Sequence, residues 1–138
     1  MRIETKKSIV DVDIVHDGAR NTLFDITGEI EEDLSPMRVI DIKNLYHEPG
    51  YDITKLRIDW VQYYIGDGIL VELLWEGSGD TSKQILPMSG KGKSEHEKAG
   101  GKQNNQFEPT GNIMLKTSGF TGKRKTFSIE IETIKQFT

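Results

Sequence analysis

The residues of this chain that could do chemistry are few, and none forms a catalytic pattern. Glycoside hydrolysis needs two carboxylic acids across a cleft, with one of them in an apolar setting. Glu72, between Val71 and Leu73, is the best single acid for that role, but no second acid can be paired with it. A contact with Tyr63 on a neighbouring strand explains Glu72 better. The chain also has no cysteine, and no serine lies in a nucleophile-elbow pattern, so we predict that the protein is not an enzyme.

Metal-ligand patterns are equally weak. His16, His47 and His96 stand far apart, and none has the compact spacing that a zinc site requires. Asp11 and Asp13 would share one face of a strand and could meet a calcium ion, although such a pair on a solvent face more often serves solubility. We therefore predict no metal and no cofactor.

One segment, Gly92-Lys93-Ser94, is similar to the end of a phosphate-binding loop. That loop needs a glycine five positions before its last glycine, and a helix after it. Position 87 is a proline and no helical pattern follows, so we predict a solvated glycine loop.

Three aromatic residues could form a platform on which sugar rings stack, namely Trp60, Tyr64 and Trp75. In the two-residue alternation of the predicted strands all three fall on the same face, which favours a place in the core. Tyr63 is then the better candidate for an exposed aromatic side chain.

The element that would hold these aromatic residues is the most informative part of the sequence. Two runs of aromatic and β-branched residues, at about 54–65 and 70–75, flank Gly66-Asp67-Gly68. An Asp-Gly pair tolerates the positive φ angles of a tight turn, so the pattern predicts a β-hairpin.

Side chains alternate between the two faces of a strand. One face of the predicted hairpin is the core face, which carries Ile58, Trp60, Gln62, Tyr64, Val71, Leu73 and Trp75. The opposite face, which we call the second hairpin face, has as its apolar members Val61, Tyr63, Ile65, Leu70 and Leu74. It is more apolar than an ordinary solvent face, so we expect the chain's long loop or another subunit to cover it.

Alternating apolar and polar residues predict six further strands, at 10–15, 22–31, 37–45, 82–88, 112–118 and 126–137. Residues 37–45 could also begin a short helix after Ser35-Pro36, but their β-branched residues favour a strand. About eight strands with turn signals between them indicate an all-β fold, an antiparallel two-sheet β-sandwich. The jelly-roll and immunoglobulin-like forms are both open alternatives.

Residues 89–111 are predicted to form one long polar loop. A loop of about twenty residues inside a compact domain is usually functional or disordered. The side chains that we expect to contact a partner from it are Lys91, Lys93, Lys98, Lys102 and Phe107. A second candidate contact is the small basic turn made by Lys123, Arg124 and Lys125, which could dock on an acidic patch.

Length and composition limit the class of protein. The 138 residues fit a single domain, 1–138, that is long enough to bury a core without disulfides. A net charge of −4 lacks the basic excess of a nucleic-acid-binding protein. No run approaches the ~20 apolar residues of a membrane span, and the N-terminus lacks the apolar segment of a signal peptide. We expect a protein made in the cytoplasm that binds neither nucleic acid nor membrane.

Several segments resemble small virion structural proteins of tailed bacteriophages, of the capsid decoration or cement type. The likeness runs from Asp17-Gly18 and Asp25-Ile26-Thr27-Gly28 to the strands at 56–63 and 68–76, and ends with residues 110–117 and 126–132. It covers residues 15–135, and its motifs are turn glycines and strand patterns rather than chemical groups.

The resemblance implies a β-sandwich without catalytic residues that binds the capsid surface of a virion in many copies. Its partners would be the major capsid protein and other copies of itself, since a weak patch repeated on a lattice gives lasting attachment. The second hairpin face would join subunits, while the long loop and the basic turn would contact the shell. The alternatives are a tail- or neck-associated virion protein and a carbohydrate-binding β-sandwich module, which would show exposed aromatic residues in a groove.

Overall fold

In the computed structural model, which describes residues 1–137, the chain forms ten β-strands and two short 3-10 helices. The strands are β1 (Arg2–Glu4), β2 (Ser8–Asp17), β3 (Asn21–Ile30), β4 (Met37–Ile40), β5 (Ile53–Ile65), β6 (Leu70–Gly77), β7 (Ser82–Met88), β8 (Lys91–Glu95), β9 (Pro109–Ser118) and β10 (Lys125–Phe137). The helices span Ile42–Asn44 and Glu97–Ala99. The all-β prediction is confirmed, and β1 and β8 are additional to the eight predicted strands.

The strands form two antiparallel sheets in a sandwich-like arrangement. Sheet A has the order β1-β2-β3-β10-β5-β8, and sheet B has the order β4-β9-β6-β7. One continuous apolar core contains residues of both sheets, with Trp75 and Leu73 from sheet B packed in the same cluster as Phe24, Leu56 and Ile129 from sheet A. In sheet A, β10 is central and pairs with β3 and β5 over most of its length.

The predicted hairpin does not form. β5 lies in sheet A between β10 and β8, whereas β6 lies in sheet B between β9 and β7. Residues 66–69 therefore carry the chain from one sheet to the other, and Gly68 takes the left-handed φ of 84°. An Asp-Gly turn reverses the chain, but it does not determine whether the two strands that it joins pair with each other.

A β-bulge interrupts the alternation of β5. Glu132 of β10 is opposite Trp60, and the next residue, Thr133, is opposite Ile58. Asp59 is therefore the extra residue of the bulge, and the side chains on either side of it change faces relative to a regular strand.

The bulge reverses the predicted faces for the rest of β5. Val61 and Ile65 are buried in the core, and Tyr63 packs against the core while half-buried. Trp60 and Tyr64, which were predicted to be core residues, are instead half-buried and 47% exposed, respectively. Of the three aromatic residues that the sequence placed in the core, only Trp75 is fully buried.

The predicted long loop at 89–111 contains regular structure. β8 forms an edge of sheet A by pairing with β5, and Lys102 forms a β-bridge with Ile58. Gly92 lets the Tyr63 ring pass over β8, because a Cβ atom at position 92 would lie only 2.6 Å from the hydroxyl oxygen of Tyr63 and would displace that side chain. A charged edge strand has no apolar alternation, which is why the sequence pattern indicated a loop.

Residues 37–45 divide between a strand and a helix. β4 ends at Ile40, and the first 3-10 helix begins after Asp41, whose carboxylate accepts a hydrogen bond from the Lys43 backbone N–H. The predicted strand is therefore correct only for its first half. No helix among residues 1–137 has the length and apolar character to cross a membrane.

Candidate binding surface

The outer face of sheet A carries an aromatic and cationic strip along its β8 edge. Gln62 and Tyr64 lie on this face of β5, and Gln62 Nε2 donates a hydrogen bond of 3.1 Å to the Tyr64 hydroxyl oxygen. Lys93 Nζ of β8 lies 5.1 Å from the ring centroid of Trp60, and Lys91 Nζ lies 5.7 Å from that of Tyr64. These cation–π contacts hold the lysine stems against the rings. The strip therefore combines aromatic surface with positive charge.

A groove crosses the outer face of sheet A beside this strip. It has a volume of about 420 Å³, and its lining includes Tyr64 on β5 and Arg2 on β1. The strand register places Ser128 opposite Tyr64, Thr27 opposite Ser128, Asp11 opposite Thr27 and Arg2 opposite Asp11. Short side chains thus lie in the middle of the row and long ones at its two ends, which is why the face is concave there.

Packing beneath the groove keeps its floor low. Gly28 of β3 faces the core, where any side chain would collide with the ring of Phe127 on β10. The ring occupies the space that a side chain at position 28 would fill, and both residues line the groove. We infer that this close packing makes the floor rigid.

The neighbouring row of sheet A is acidic. Asp13 of β2 is opposite Asp25 of β3, which is in turn opposite Glu130 of β10. Like charges directly opposite each other in a sheet are destabilising. No group of three or more His, Cys, Asp or Glu residues within 1–137 is arranged to hold a metal ion. The three carboxylates of this row create a negative electrostatic potential alongside the groove.

The outer face of sheet B carries a separate cluster, centred on the buried carboxylate of Glu76. Arg38 of β4 donates two hydrogen bonds to it, from Nε to Oε2 at 3.1 Å and from Nη2 to Oε1 at 2.8 Å. The Thr110 hydroxyl and the Asn112 amide of β9 donate to Oε1 at 2.8 and 3.2 Å. Burial raises the pKa of Glu76, but these hydrogen bonds and the charge of Arg38 outweigh it and hold that pKa below its usual value. The cluster joins β4, β6 and β9 and stabilises the ionised carboxylate.

We expect the protein to lose stability as the pH falls below about 5, partly through Glu76. A carboxyl with a lowered folded pKa contributes stability that is fully present above its unfolded pKa of about 4.3, and loses it as the pH falls through the folded value. Urea unfolding at a series of pH values measures this slope. Glu76→Gln should reduce the slope and also lower the stability at neutral pH, so an unchanged slope in the variant would contradict this assignment.

Two residues that were predicted to contact a partner, Val61 and Ile65, lie in the apolar core. Leu74 is buried outside that core cluster, while Tyr63 and Leu70 are half-buried. The prediction of an exposed second hairpin face is therefore wrong, because it required β5 and β6 to pair and β5 to have no bulge.

The predicted lysine contacts divide between two places along sheet A. Lys91 begins β8 near the end of β5, and the turn at 123–125 leads into β10 at the same end of the sheet. Lys98 and Lys102 lie farther back, with Lys102 opposite Ile58, about 20 Å from the position of Tyr64 along the strand. The structure places the basic turn and the start of β8 at the same end of sheet A and separates both from Lys98 and Lys102.

Six of the predicted contact residues are exposed, namely Lys91, Lys93, Lys98, Phe107, Lys123 and Arg124. Phe107 is 81% exposed in the connection before β9, the highest value for a large apolar side chain among residues 1–137. Arg124 is also exposed, but it forms ion pairs of 3.6 and 3.3 Å with Glu29 and Glu31. Its charge is therefore partly balanced within the chain, while the role of all six residues in partner binding stays a prediction.

Sequence reasoning missed an apolar surface on β2. β1 pairs with β2 at residues 9–11, and the Met1 backbone adds hydrogen bonds to Val12. Beyond Val12, no other strand within residues 1–137 pairs with the outer edge of β2, and there Ile14 is exposed and Val15 is 61% exposed. The sequence carried one signal for this surface, because Val15 stands where the alternation of β2 calls for a polar residue.

No protein-family model matches the chain, and a search of curated proteins finds no match.

Proposed function

We propose that the protein is a non-enzymatic structural protein of a tailed-phage virion, which decorates or stabilises the capsid shell through contacts with the major capsid protein and with copies of itself. The observation that carries this proposal is the unpaired outer edge of β2, with Ile14 and Val15 exposed on it. The likeness of the chain to phage decoration proteins supports the virion location. We include in this proposal that the two sheets form a jelly-roll or immunoglobulin-like sandwich. A protein located on the tail or neck of the virion would use the same kind of contact.

The open edge of β2 supplies the contact between copies. The free N–H and C=O groups of an edge strand pair readily with a strand of another chain. Residues 13–17 offer such a stretch, with a β-bulge at Val15 that places an exposed apolar side chain between the charged Asp13 and Asp17 and divides the stretch into two short pairing segments. Two copies joined along this edge would extend sheet A across the dimer.

Contacts with the shell come from other exposed groups. The turn at 123–125 and Phe107 lie on different parts of the surface, and each is too small to hold a partner alone. An oligomer presents several copies of each to a repeating lattice, so weak contacts combine into stable attachment.

Val15→Lys is expected to convert the purified protein from an oligomer to a monomer, because a charge at this position repels a second copy along the edge. Light scattering coupled to gel filtration measures the mass, and co-sedimentation with capsid shells lacking the protein measures attachment, which should weaken in the variant. Gln84→Lys, on the exposed edge strand β7 of sheet B, is the matched control and should change neither result. A wild-type protein that is monomeric and stays in the supernatant with shells would overturn the proposal.

A further inference from the structure

The residues that line the groove on the outer face of sheet A take no part in the contacts proposed above, and their chemical types indicate a ligand of their own. Along its row, Tyr64 offers an aromatic ring, Ser128 and Thr27 offer hydroxyls, Asp11 offers a carboxylate and Arg2 offers a guanidinium. A hydroxyl both donates and accepts hydrogen bonds, a carboxylate accepts them, and a guanidinium only donates them. The ligand that this set matches has an apolar face beside many hydroxyl groups.

Oligosaccharides have that chemistry. The C–H face of a sugar ring packs on an aromatic ring, whose body is apolar, and the hydroxyls at the rim of the sugar need both donors and acceptors. Tyr64 is 47% exposed at one end of the groove, and the Lys91 side chain, whose Nζ lies 5.7 Å from its ring centroid, would move aside when a sugar stacks on that face. Its hydroxyl oxygen already accepts a hydrogen bond from Gln62, which fixes the orientation of the phenol.

The length of the groove fits a chain of sugars rather than one ring. From Tyr64 on β5 to Arg2 on β1 the groove crosses β10, β3 and β2, which is four inter-strand steps or about 19 Å. The floor is open along this distance because Ser128 and Thr27 are short. Several linked sugar units can therefore lie across the strands.

Charge around the groove selects the kind of oligosaccharide. Arg2, the only cation in its lining within residues 1–137, is engaged in ion pairs of 2.9 Å with Asp11 and 3.2 Å with Glu4. Lys91 and Lys93 lie beside the Tyr64 end, and Lys93 pairs with Glu95 at 3.0 Å, so the carboxylates outnumber the unpaired cations around the groove. The carboxylates in or beside the groove are Asp11, Asp13, Asp25, Glu29 and Glu130. A polyanion would meet a negative potential there, so acidic polysaccharides and nucleic acids are disfavoured.

We propose that the groove binds a neutral oligosaccharide, with Tyr64 as the stacking platform and with Ser128, Thr27 and Asp11 as hydrogen-bonding partners of its hydroxyl groups. This site is separate from the β2 edge and does not depend on the virion assignment. A protein carried in many copies on a particle would gain avidity from even a weak site of this kind.

The test is a titration of ¹⁵N-labelled full-length protein, followed by two-dimensional NMR. The probes are cellohexaose, maltohexaose and N-acetylchitohexaose, each up to about 10 mM, with oligogalacturonate as the anionic probe. At least one neutral probe should shift the amide signals of Thr27, Tyr64 and Ser128 in a saturable way, and oligogalacturonate should not. Failure of all three neutral probes, or preferential binding of oligogalacturonate, overturns the proposal.

Two variants then locate the site. Tyr64→Ala should weaken binding about tenfold, whereas Tyr51→Ala, which removes a similarly exposed tyrosine outside the groove, should leave it unchanged. Thr27→Lys places a long side chain on the floor and should abolish binding while the dispersed NMR spectrum shows that the fold is intact. Wild-type affinity in both Tyr64→Ala and Thr27→Lys would show that the sugar binds elsewhere.

Discussion

Replacing Lys135 with methionine is expected to lower the free energy of unfolding by about 3–5 kcal/mol. The ammonium group of Lys135 is fully buried, and it donates to Asp17 Oδ1 at 2.6 Å, to the Gly18 carbonyl at 2.6 Å and to the Tyr46 carbonyl at 2.5 Å. Methionine keeps the apolar stem but removes the positive charge that pairs with the Asp17 carboxylate and the donor of the hydrogen bonds to the two carbonyl oxygens. The cost is large because unpaired polar groups in the interior are strongly disfavoured.

The environment of Asp17 stabilises its ionised carboxylate. Burial raises the pKa of Asp17, but the hydrogen bonds from Lys135 and from the Tyr46 backbone N–H, together with the charge of Lys135, hold that pKa below its usual value. Lys135 and its three acceptors, which we call the Lys135 cage, also join β10 to the β2–β3 turn and to the connection that follows β4. Loss of Lys135 therefore loosens three segments at once.

Urea unfolding of Lys135→Met, with Lys83→Met as the matched control, measures the effect. Lys83 lies exposed on β7, so its replacement should change the stability by less than about 0.5 kcal/mol. A double variant, Asp17→Asn with Lys135→Met, should be less destabilised than the sum of the two single variants, because both single variants remove the same ion pair between Lys135 and Asp17. Equal stability of Lys135→Met and Lys83→Met would show that the cage contributes nothing.

The positions of most strands could be predicted from the sequence, because side-chain alternation directly reflects which face of a strand is buried. Val10 and Val12 of β2 and Phe127, Ile129 and Ile131 of β10 alternate with polar residues, and all five are in the core. The short strands β1 and β8 could not be found in this way. Both are charged edge strands, so burial imposes no pattern on them.

Strand pairing could not be predicted, because it depends on contacts between distant parts of the chain. The signals at Gly66-Asp67-Gly68 correctly mark a reversal, but only the tertiary fold decides that β6 pairs with β7 and β9 instead of β5. The same holds for the Lys135 cage, whose carboxylate partner is 118 positions away in the sequence. In the pattern of β10, Lys135 is simply a polar residue next to Ile134, with nothing to show that it is buried.

The candidate site was missed for a local reason. A regular strand would place Val61 and Tyr63 on the face opposite Ile58, and the single extra residue at Asp59 reverses that assignment. The bulge also moved Trp60 and Tyr64 to the outer face, where Tyr64 lines the groove. One irregular residue therefore decides which aromatic side chains are accessible to a ligand.

Val61→Asp is expected to unfold the protein at neutral pH, whereas Tyr64→Asp should cost less than about 1 kcal/mol. Val61 is 1% exposed and lies opposite Ile131 on β10, so an aspartate there would place a carboxylate in the apolar core without a partner. Tyr64 is three positions along the same strand, and its replacement loses a partly exposed ring with its surface contacts to Gln62 and Lys91. Circular dichroism and urea titration of the two variants provide the comparison.

The pair of variants separates two arrangements of β5 that place the same residues on opposite faces. With the bulge at Asp59, the charge is intolerable at position 61 and accepted at position 64. In a regular hairpin without the bulge, Val61 would lie outside and Tyr64 inside, so the order of the two effects would be reversed. A folded Val61→Asp together with an unfolded Tyr64→Asp would therefore contradict both the bulge and the groove. It would also contradict the oligosaccharide proposal, which needs Tyr64 on the outer face.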